Sequence, residues 1–462
     1  ISVMKRSATL VFLMLAASMG AAPAAVRANG FPLQVDTWVA ASTSGAVANG
    51  STAGSSCSDP GFVADGTDDD VEIGYAFQDV LPGGTVHLCA GTYNLTSEIV
   101  HNDEVTIVGA GKGRTFVIGT AEFDESGAFV GSDGNAFLFG TDMTMRGLTV
   151  RGFWSAYGAV YGDSLTARNV RFDYNGNYSD DGGAVWVGDV TVRDSVFAHN
   201  YSELNGGAIA SSRTVAIRTR FTKNEAVEHG GAVDVAVAVN SSRFVDCTFT
   251  RNRAGIQGGA LFSHTNSIVS IRRSTFLRNR SVSHGGAARF YESTVRVVNS
   301  RFERNRASDA GGAFDAYLGR LRVNGSTFVR NRAASNGGGA VSWEQDRLIV
   351  RRSSFYFNRS GARGGGLIVN DVVEPARVEY STFVENHGRW GGGLALTGGA
   401  PLHVRGNAFT SNSSPAGGAI FLYTCGPTLN RDQARRVRRS NTYSENRSRG
   451  EHPKVLADIV PC

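Results

Sequence analysis

Apolar and polar residues alternate with a period of two in short segments along most of this chain. "VTVRDSVF" (Val190 to Phe197), "VSIRRSTF" (Val269 to Phe276), "VRVVNSRF" (Val295 to Phe302) and "LIVRRSSF" (Leu348 to Phe355) all follow it. β-Branched residues at that period predict short strands with one face buried. After each comes a turn, then a second strand-like run such as "AVDVAV" or "GLIVN". No such unit holds the roughly 12 residues a stable helix needs. One segment differs. In "DGTDDDVEIGYAFQDVLPGGTVHL", Asp65 to Leu88, Ile73, Phe77 and Val80 or Leu81 share a helical face. Asp68 to Asp70 favour that helix's start, and Pro82 and the glycines end it.

The alternation is carried by a repeat. Phe-x-x-Asn occurs at Phe172/Asn175, Phe197/Asn200, Phe221/Asn224, Phe249/Asn252 and Phe276/Asn279. It continues at Phe302/Asn305, Phe328/Asn331, Phe355/Asn358, Phe383/Asn386 and Phe409/Asn412, and fades at Tyr443/Asn446. The phenylalanines are 24 to 28 residues apart. A Gly-Gly pair follows each one, as in Gly206-Gly207-Ala208, Gly311-Gly312-Ala313 and Gly391-Gly392-Gly393-Leu394. One repeat cannot bury its own apolar side, but stacked copies can.

The fold this predicts is all-β: a right-handed parallel β-helix solenoid with an N-terminal capping helix. Each repeat makes one coil, and like residues form columns about 4.8 Å apart. The phenylalanines become an inward stack of rings. Ser195, Thr219, Cys247, Ser274, Ser300, Ser326, Ser353 and Ser381 form a column of small residues two positions earlier. Asn200, Asn224, Asn252, Asn279, Asn305, Asn331, Asn358 and Asn386 become a ladder, each amide giving to one neighbour and accepting from the other. Asparagine is also expected to take the left-handed backbone at that corner. The Gly pair turns the next corner. Beyond it, Val233, Leu261, Phe314 and Val341 are expected to point in, and Asp234, Phe262, Asp315 and Ser342 out.

The ends of the chain suggest the domain plan. Lys5 and Arg6, the apolar run Leu10 to Ala22 and the small residues to Ala28 read as a signal peptide over residues 1–28. Residues 29–58 read as a low-complexity linker, and 59–462 as a single β-helix domain. Within it, 59–168 form the N-terminal cap and first coils, 169–422 the repeats, and 423–462 the C-terminal cap. The expected location is secreted or cell-surface, and no segment of the mature chain reads as a transmembrane helix. Five cysteines fit an exported chain: position suggests Cys57 with Cys89 and Cys425 with Cys462, leaving Cys247 as a buried free thiol. There is no Cys-x-x-Cys pair, so a zinc site is not expected.

The Phe-x-x-Asn and Gly-Gly-Ala/Leu-Ile/Val units, over about Phe172 to Asn446, resemble those of chlamydial-type polymorphic outer membrane proteins. "DGTDDDVEI", "GGTVHLCAGTY" and "VTIVGAGKGRT", within Asp65 to Gly119, resemble the N-terminal part of the pectate-lyase-like, right-handed parallel β-helix superfamily. Members of these families are secreted or surface proteins, some adhesins and some enzymes on acidic polysaccharides. The amphipathic barrel strands that end polymorphic outer membrane proteins do not follow the last repeat, so the autotransporter route is not expected.

Glycine is abundant, 58 of 462 residues, and the net charge of +5 is modest. "VGAGKGRT", Val108 to Thr115, fails both phosphate-loop spacings and reads as a coil turn. The polygalacturonase signatures Asn-Thr-Asp, Gly-His-Gly and Arg-Ile-Lys are absent. His229 and His284 precede Gly pairs, but Asn205, Gln257, Ala310 and Asn336 hold the same place in other copies, which reads as a tolerant corner. Lyases of the resembled fold hold calcium on aspartates and use Arg or Lys as base. The nearest arrangement here is Asp234, Arg289 and Asp315, with Arg289 and Asp315 on adjacent coils and equally readable as an exposed ion pair. No cofactor is expected, with calcium only for a lyase.

Arginine is the stronger surface signal. Arg251, Arg278, Arg304 and Arg330 directly precede ladder asparagines, and Arg253, Arg280, Arg306, Arg332 and Arg359 directly follow them. Stacked like charges suit a polyanion. The expected partner is an acidic polysaccharide or cell-surface polyanion, not nucleic acid, bound by a monomer. The leading expectation is non-catalytic adhesion or polyanionic-glycan recognition. The alternative is a polysaccharide lyase or glycoside hydrolase.

Overall fold

The structure, a computed structural model, describes residues 34–42, 54–122, 135–236, 241–343, 347–370, 376–397, 402–424, 431–448 and 458–461. All belong to one compact unit, Gln34–Cys462. The expected signal peptide, Cys425 and Cys462 lie outside the described residues.

Apart from the antiparallel pair Gly54–Ser56 and Asp59–Pro60, the described strands pair in parallel, chiefly with their equivalents one coil along. Three sheets of 24, 14 and 9 strands result. The second sheet carries the phenylalanines, in register as Phe197↔Phe221, Phe221↔Phe249 and Phe249↔Phe276. From Phe172 to Phe409 their ring centroids are 4.5–5.2 Å apart with planes within 12° of parallel. The register explains the spacing, because a column of identical side chains must repeat at the strand separation.

The asparagines form the expected ladder from Asn175 to Asn446, with Nδ2 donating to the next Oδ1 at 2.9–3.1 Å. Asn305 illustrates the unit. Its Nδ2 also donates to the Phe276 carbonyl at 3.0 Å, and its Oδ1 accepts from the Asn279 backbone N–H at 2.9 Å. A buried primary amide is thereby satisfied without water.

The corner departs from expectation. The left-handed residue is the one before the asparagine: Arg251, Arg278, Arg304 and Arg330 have φ of 53–56°. The chain turns there so that the following asparagine can point inward. At the next corner glycine is obligatory. Gly206 has φ +62°, and a Cβ there would lie 2.3 Å from the Ile209 carbonyl oxygen.

Helix α1, Asp70–Asp79, covers the N-terminal end and buries Ile73, Ala76 and Phe77. Val80 is buried beyond it, whereas Leu81 is exposed. The Asp69 carboxylate accepts from the Gly66 and Asn94 N–H groups, tying the helix start to the next coil. Helix α2, Arg431–Arg439, lies in the expected C-terminal cap and buries Ala434 and Val437.

The linker boundary needs correction. Gln34–Ala40, expected to be linker, is a strand of the first sheet, paired with Val80–Leu88. Its alternation is weak in isolation, and its apolar face gains a core only once α1 and the first coil lie beside it. Cys57 and Cys89 are joined by a disulfide, and Tyr93 donates to the Val39 carbonyl at 2.8 Å. Replacing Cys57 and Cys89 by serine is expected to cost about 2–4 kcal/mol, by freeing the unfolded chain. Thermal melts of the two proteins would check it.

Candidate functional site

The Gly pair positions two outward columns on the first sheet. One holds the residue before the pair, the other the residue four positions after its first glycine. The second column runs in register Phe139, Tyr161, Trp186, Ala210, Asp234, Phe262, Arg289, Asp315. Val341, expected to point in with Phe314, pairs with Asp315 instead, and Ala340 continues the Phe314 column. The extra glycine in Gly337-Gly338-Gly339 shifts that register by one. The side chains of Val341 and Ser342 lie outside the described residues.

Asp234, Arg289 and Asp315 do lie in this outward column. They are nevertheless buried: 2%, 6% and 0% exposed. The exposed ion pair expected for Arg289 and Asp315 is therefore a buried one, joined through Arg289 Nη1 and Asp315 Oδ2. Arg289 also lies over the Tyr317 ring, 5.5 Å from its centroid. Outward polar side chains are buried here because large neighbours close over them. Phe262 stands between Asp234 and Arg289, and His229 stacks on Phe262 at 4.5 Å.

Of the histidines read as tolerant corners, His229 feels the charge of Asp234, and His284 acts on Asp315 while its Nε2 lies 3.4 Å from Asp309 Oδ2. A third histidine, His264, places Nε2 3.2 Å from Asp234 Oδ2. His229 and His264 rings are 6.4 Å apart. Asp181 joins from the Gly182 coil. Its Oδ1 accepts from Asn205 N–H at 3.0 Å and Nδ2 at 2.9 Å, while Asn205 Oδ1 accepts from His229 N–H at 3.1 Å. Sequence reasoning missed Asp181 and His264. A signal existed for Asp181, since it occupies the same pre-glycine place as His229 and His284. None existed for His264, whose column is set only by register.

The electrostatics are divided. Burial, and then the charge of Asp234, pushes Asp181 up to about 7. Burial alone would lower His264, but Asp234's charge and hydrogen bond raise it. Burial lowers His229 and raises Asp315, the latter against Arg289 and His284. Asp234 Oδ1, His229 Nδ1, Arg289 Nε and Asp315 Oδ1 are buried without a protein partner. Unpaired buried polar groups cost stability, so such a concentration points to a site.

On folding, Asp181 takes up a proton between its unfolded pKa near 3.9 and its folded value of about 7. The unfolded chain binds fewer protons in that window, so stability falls as pH rises through it. Asp181→Asn is expected to flatten this part of the stability curve, as denaturant titrations across that range would measure.

The calcium expectation meets a poor donor set. Calcium takes about six to eight oxygens, whereas Asp234 faces His264 and Asp315 faces Arg289. Among the described residues no three His, Cys, Asp or Glu side chains gather as metal ligands. The cluster does not fit calcium.

Beside the polar cluster the same face is aromatic. Tyr157 stacks on Trp186 at 5.6 Å and meets Tyr161 at 4.8 Å, and Tyr161 meets Phe139 at 4.8 Å.

A family described as "Rhamnogalacturonase A/epimerase, pectate lyase-like" matches residues 56–287, half of the chain and most of this face. The chain belongs to the pectate lyase-like family. A second description, "Right handed beta helix region", matches residues 258–434. The two matches overlap over residues 258–287 of this pectate lyase-like chain; Asp181 and Asp234 lie within the first and Asp315 within the second. No curated protein matches the sequence. Among solved structures, the chain is similar to the A-module of mannuronan C-5 epimerase AlgE6 from Azotobacter vinelandii, at 14% identity and TM-score 0.40, over 78% of this chain and 96% of that one. It is similar to the GH87 alpha-1,3-glucanase catalytic unit of Streptomyces thermodiastaticus strain HF3-3, at 14% identity and TM-score 0.39, over 91% and 70%. It is also similar to alginate lyase AlyF-OU02, at 12% identity and TM-score 0.38, over 86% and 91%.

The arginines stand elsewhere on the solenoid. Arg253, Arg280, Arg306, Arg332 and Arg359 are in register along the third sheet, and all are exposed. The resemblance to polymorphic outer membrane protein repeats rests on sequence; the family matches concern the β-helix. No helix among the described residues is long and apolar enough to cross a membrane.

Proposed function

We propose that the protein is a polysaccharide-processing enzyme that cleaves an acidic polymer laid along the outer face of its first sheet. One observation carries the reading: Asp181 and Asp234 are carboxylates in electrical contact, with Asp181 pushed up to about 7. An acid that keeps its proton near neutral pH, with a second carboxyl group within reach of the same bond, is what glycosidic acid and base catalysis requires. The family description, which names a rhamnogalacturonase, supports that chemistry.

In this reading Asp181 keeps its proton at neutral pH and gives it to the glycosidic oxygen as the bond to the anomeric carbon breaks. Asp234, oriented by His264, takes a proton from the attacking water. The two lie two coils apart, roughly 9.6 Å of axis, which leaves room for that water as inversion requires. Arg289, and His264 whose pKa is raised by Asp234, give the site positive potential toward a uronate carboxylate. The Tyr157, Tyr161 and Trp186 rings offer flat apolar surface to sugar rings. The signal peptide expected from the sequence fits an extracellular substrate, and the proposal includes a location outside the cell.

A second, non-catalytic reading is adhesion through polyanionic-glycan recognition. The exposed, in-register arginines of the third sheet favour it.

The test is incubation of the purified chain with polygalacturonate, rhamnogalacturonan and alginate, following reducing ends and unsaturated-product absorbance. New reducing ends without unsaturated product, lost in Asp181→Asn and Asp234→Asn, are expected. Unsaturated product would replace hydrolysis by elimination. Retention of polymer without cleavage of any of them would replace the enzyme by the adhesin.

A further inference from the structure

Beside the glycine corner, each repeat turns two further corners on a left-handed residue, and these two are filled differently. Between the first and second sheets the column includes Asp194, Arg218, Asp246 and Arg273, with φ of 48–55°. These four charges cancel in pairs, with Arg218 Nε 2.7 Å from Asp194 Oδ1 and Arg273 Nη2 2.8 Å from Asp246 Oδ2, while Arg352 further along the column has no carboxylate partner among the described residues. Between the second and third sheets, Arg251, Arg278, Arg304 and Arg330 occupy four successive coils in the same conformation. Their backbones stack through N–H donation to the next coil, Arg251 to Leu277 and Arg278 to Glu303.

The charge at this second corner is compensated only in part. Arg304 Nη1 lies 3.4 Å from a Glu303 oxygen, Arg330 lies over the Phe357 ring, and Arg253 in the neighbouring column pairs with Glu225. Among the described residues, Arg251, Arg278, Arg280, Arg306 and Arg332 have no carboxylate partner. The backbone does not call for arginine, since glycine or asparagine adopts this conformation more readily. Ion pairing does not call for it either, as the first corner demonstrates. Like charges repeated about every 4.8 Å along the axis repel one another and favour a bound anion.

We propose that the double arginine column at the edge of the second and third sheets is a docking face for a linear polyanionic glycan lying parallel to the solenoid axis. It is distinct from the Asp181–Asp234 cluster on the first sheet. The inference rests on the recognition reading above and not on the catalytic one. Guanidinium groups take carboxylate or sulfate in fork geometry. The occupant is a carboxylated polymer, a polyuronate, whose planar carboxylates match the guanidinium fork. Aromatic rings that would stack nucleobases do not alternate with these arginines, Phe357 at the end of the column apart, so single-stranded nucleic acid is a poorer match.

The deciding variant is Arg251→Asn with Arg278→Asn, Arg304→Asn and Arg330→Asn in the full chain. Asparagine suits the left-handed backbone, so the melting temperature should hold or rise. Binding to polygalacturonate and to dextran sulfate, by calorimetry or affinity electrophoresis, should weaken on the order of 10- to 100-fold. Wild-type binding should fall with added salt and be absent for neutral dextran. Polygalacturonate should bind more tightly than dextran sulfate, and the reverse order would overturn the carboxylate assignment. Arg218→Asn with Arg273→Asn, at the ion-paired first corner, should bind as wild type, which separates this column from the rest of the arginine surface. Unchanged binding by the fourfold variant would overturn the proposal, as would equal binding of neutral dextran or tighter binding of single-stranded DNA. If the fourfold variant does not fold, Arg280→Gln with Arg306→Gln on the third sheet decides the same question.

Discussion

Asp181→Asn is expected to lower kcat on a cleaved acidic polysaccharide by about 100- to 10,000-fold, with little change in KM. The asparagine keeps the shape of the side chain and can still meet Asn205, so the fold should persist. What disappears is the proton that Asp181 holds up to about pH 7. The wild-type rate should decline as pH rises through that value, because the acid is then spent, and the variant should lose that limb. Asp234→Asn should be similarly inactive for the opposite reason: it removes the negative charge that both polarises water and raises Asp181. Asp181 in that variant should titrate lower, since one of the causes of its shift is gone. A His264 substitution should act more mildly, through the orientation of Asp234, and shift the acid limb of the profile. A flat pH profile in wild type, or an Asp181→Asn enzyme with full kcat, would remove the acid–base assignment.

Phe302→Ala is expected to destabilise the solenoid by about 3–5 kcal/mol. Phe302 is fully buried, with Phe276 stacked on one side at 4.7 Å and Phe328 on the other at 5.1 Å. Phe314 meets it at 5.6 Å nearly edge-on. Its strand is pinned on both sides, Phe276↔Phe302 and Phe302↔Phe328, so the coils cannot close over the cavity. Because each coil is held chiefly by its neighbours, the loss sits at one interface and should broaden as well as lower the unfolding transition. Arg306→Ala, exposed on the same coil, should stay within about 0.5 kcal/mol of wild type. Urea denaturation of the two variants would measure the difference, and a small effect at Phe302 would contradict the packed column.

The fold was legible because it is written many times. Phe197, Asn200 and Gly206-Gly207 each recur one coil later, and only a parallel stack lets every copy meet its own kind. Even so, the left-handed corner was misassigned to asparagine. The backbone at Arg278 takes that conformation because Asn279 is committed to the ladder. Gln34–Ala40 was unreadable as a strand since it repeats nothing, and its partner Val80–Leu88 follows only after α1.

The sequence by itself determined the coil, its register and its columns, because local alternation and self-complementary side chains are properties of the repeat. It placed Asp234, Arg289 and Asp315 on one outward column. Only the tertiary structure decided that this column is buried, that His264 reaches Asp234, and that Asp181 feels Asp234 from two coils away. Those are departures from the repeat, positions where neighbours differ. Burial and electrostatic coupling depend on which unlike side chains meet across coils, and no single copy carries that information.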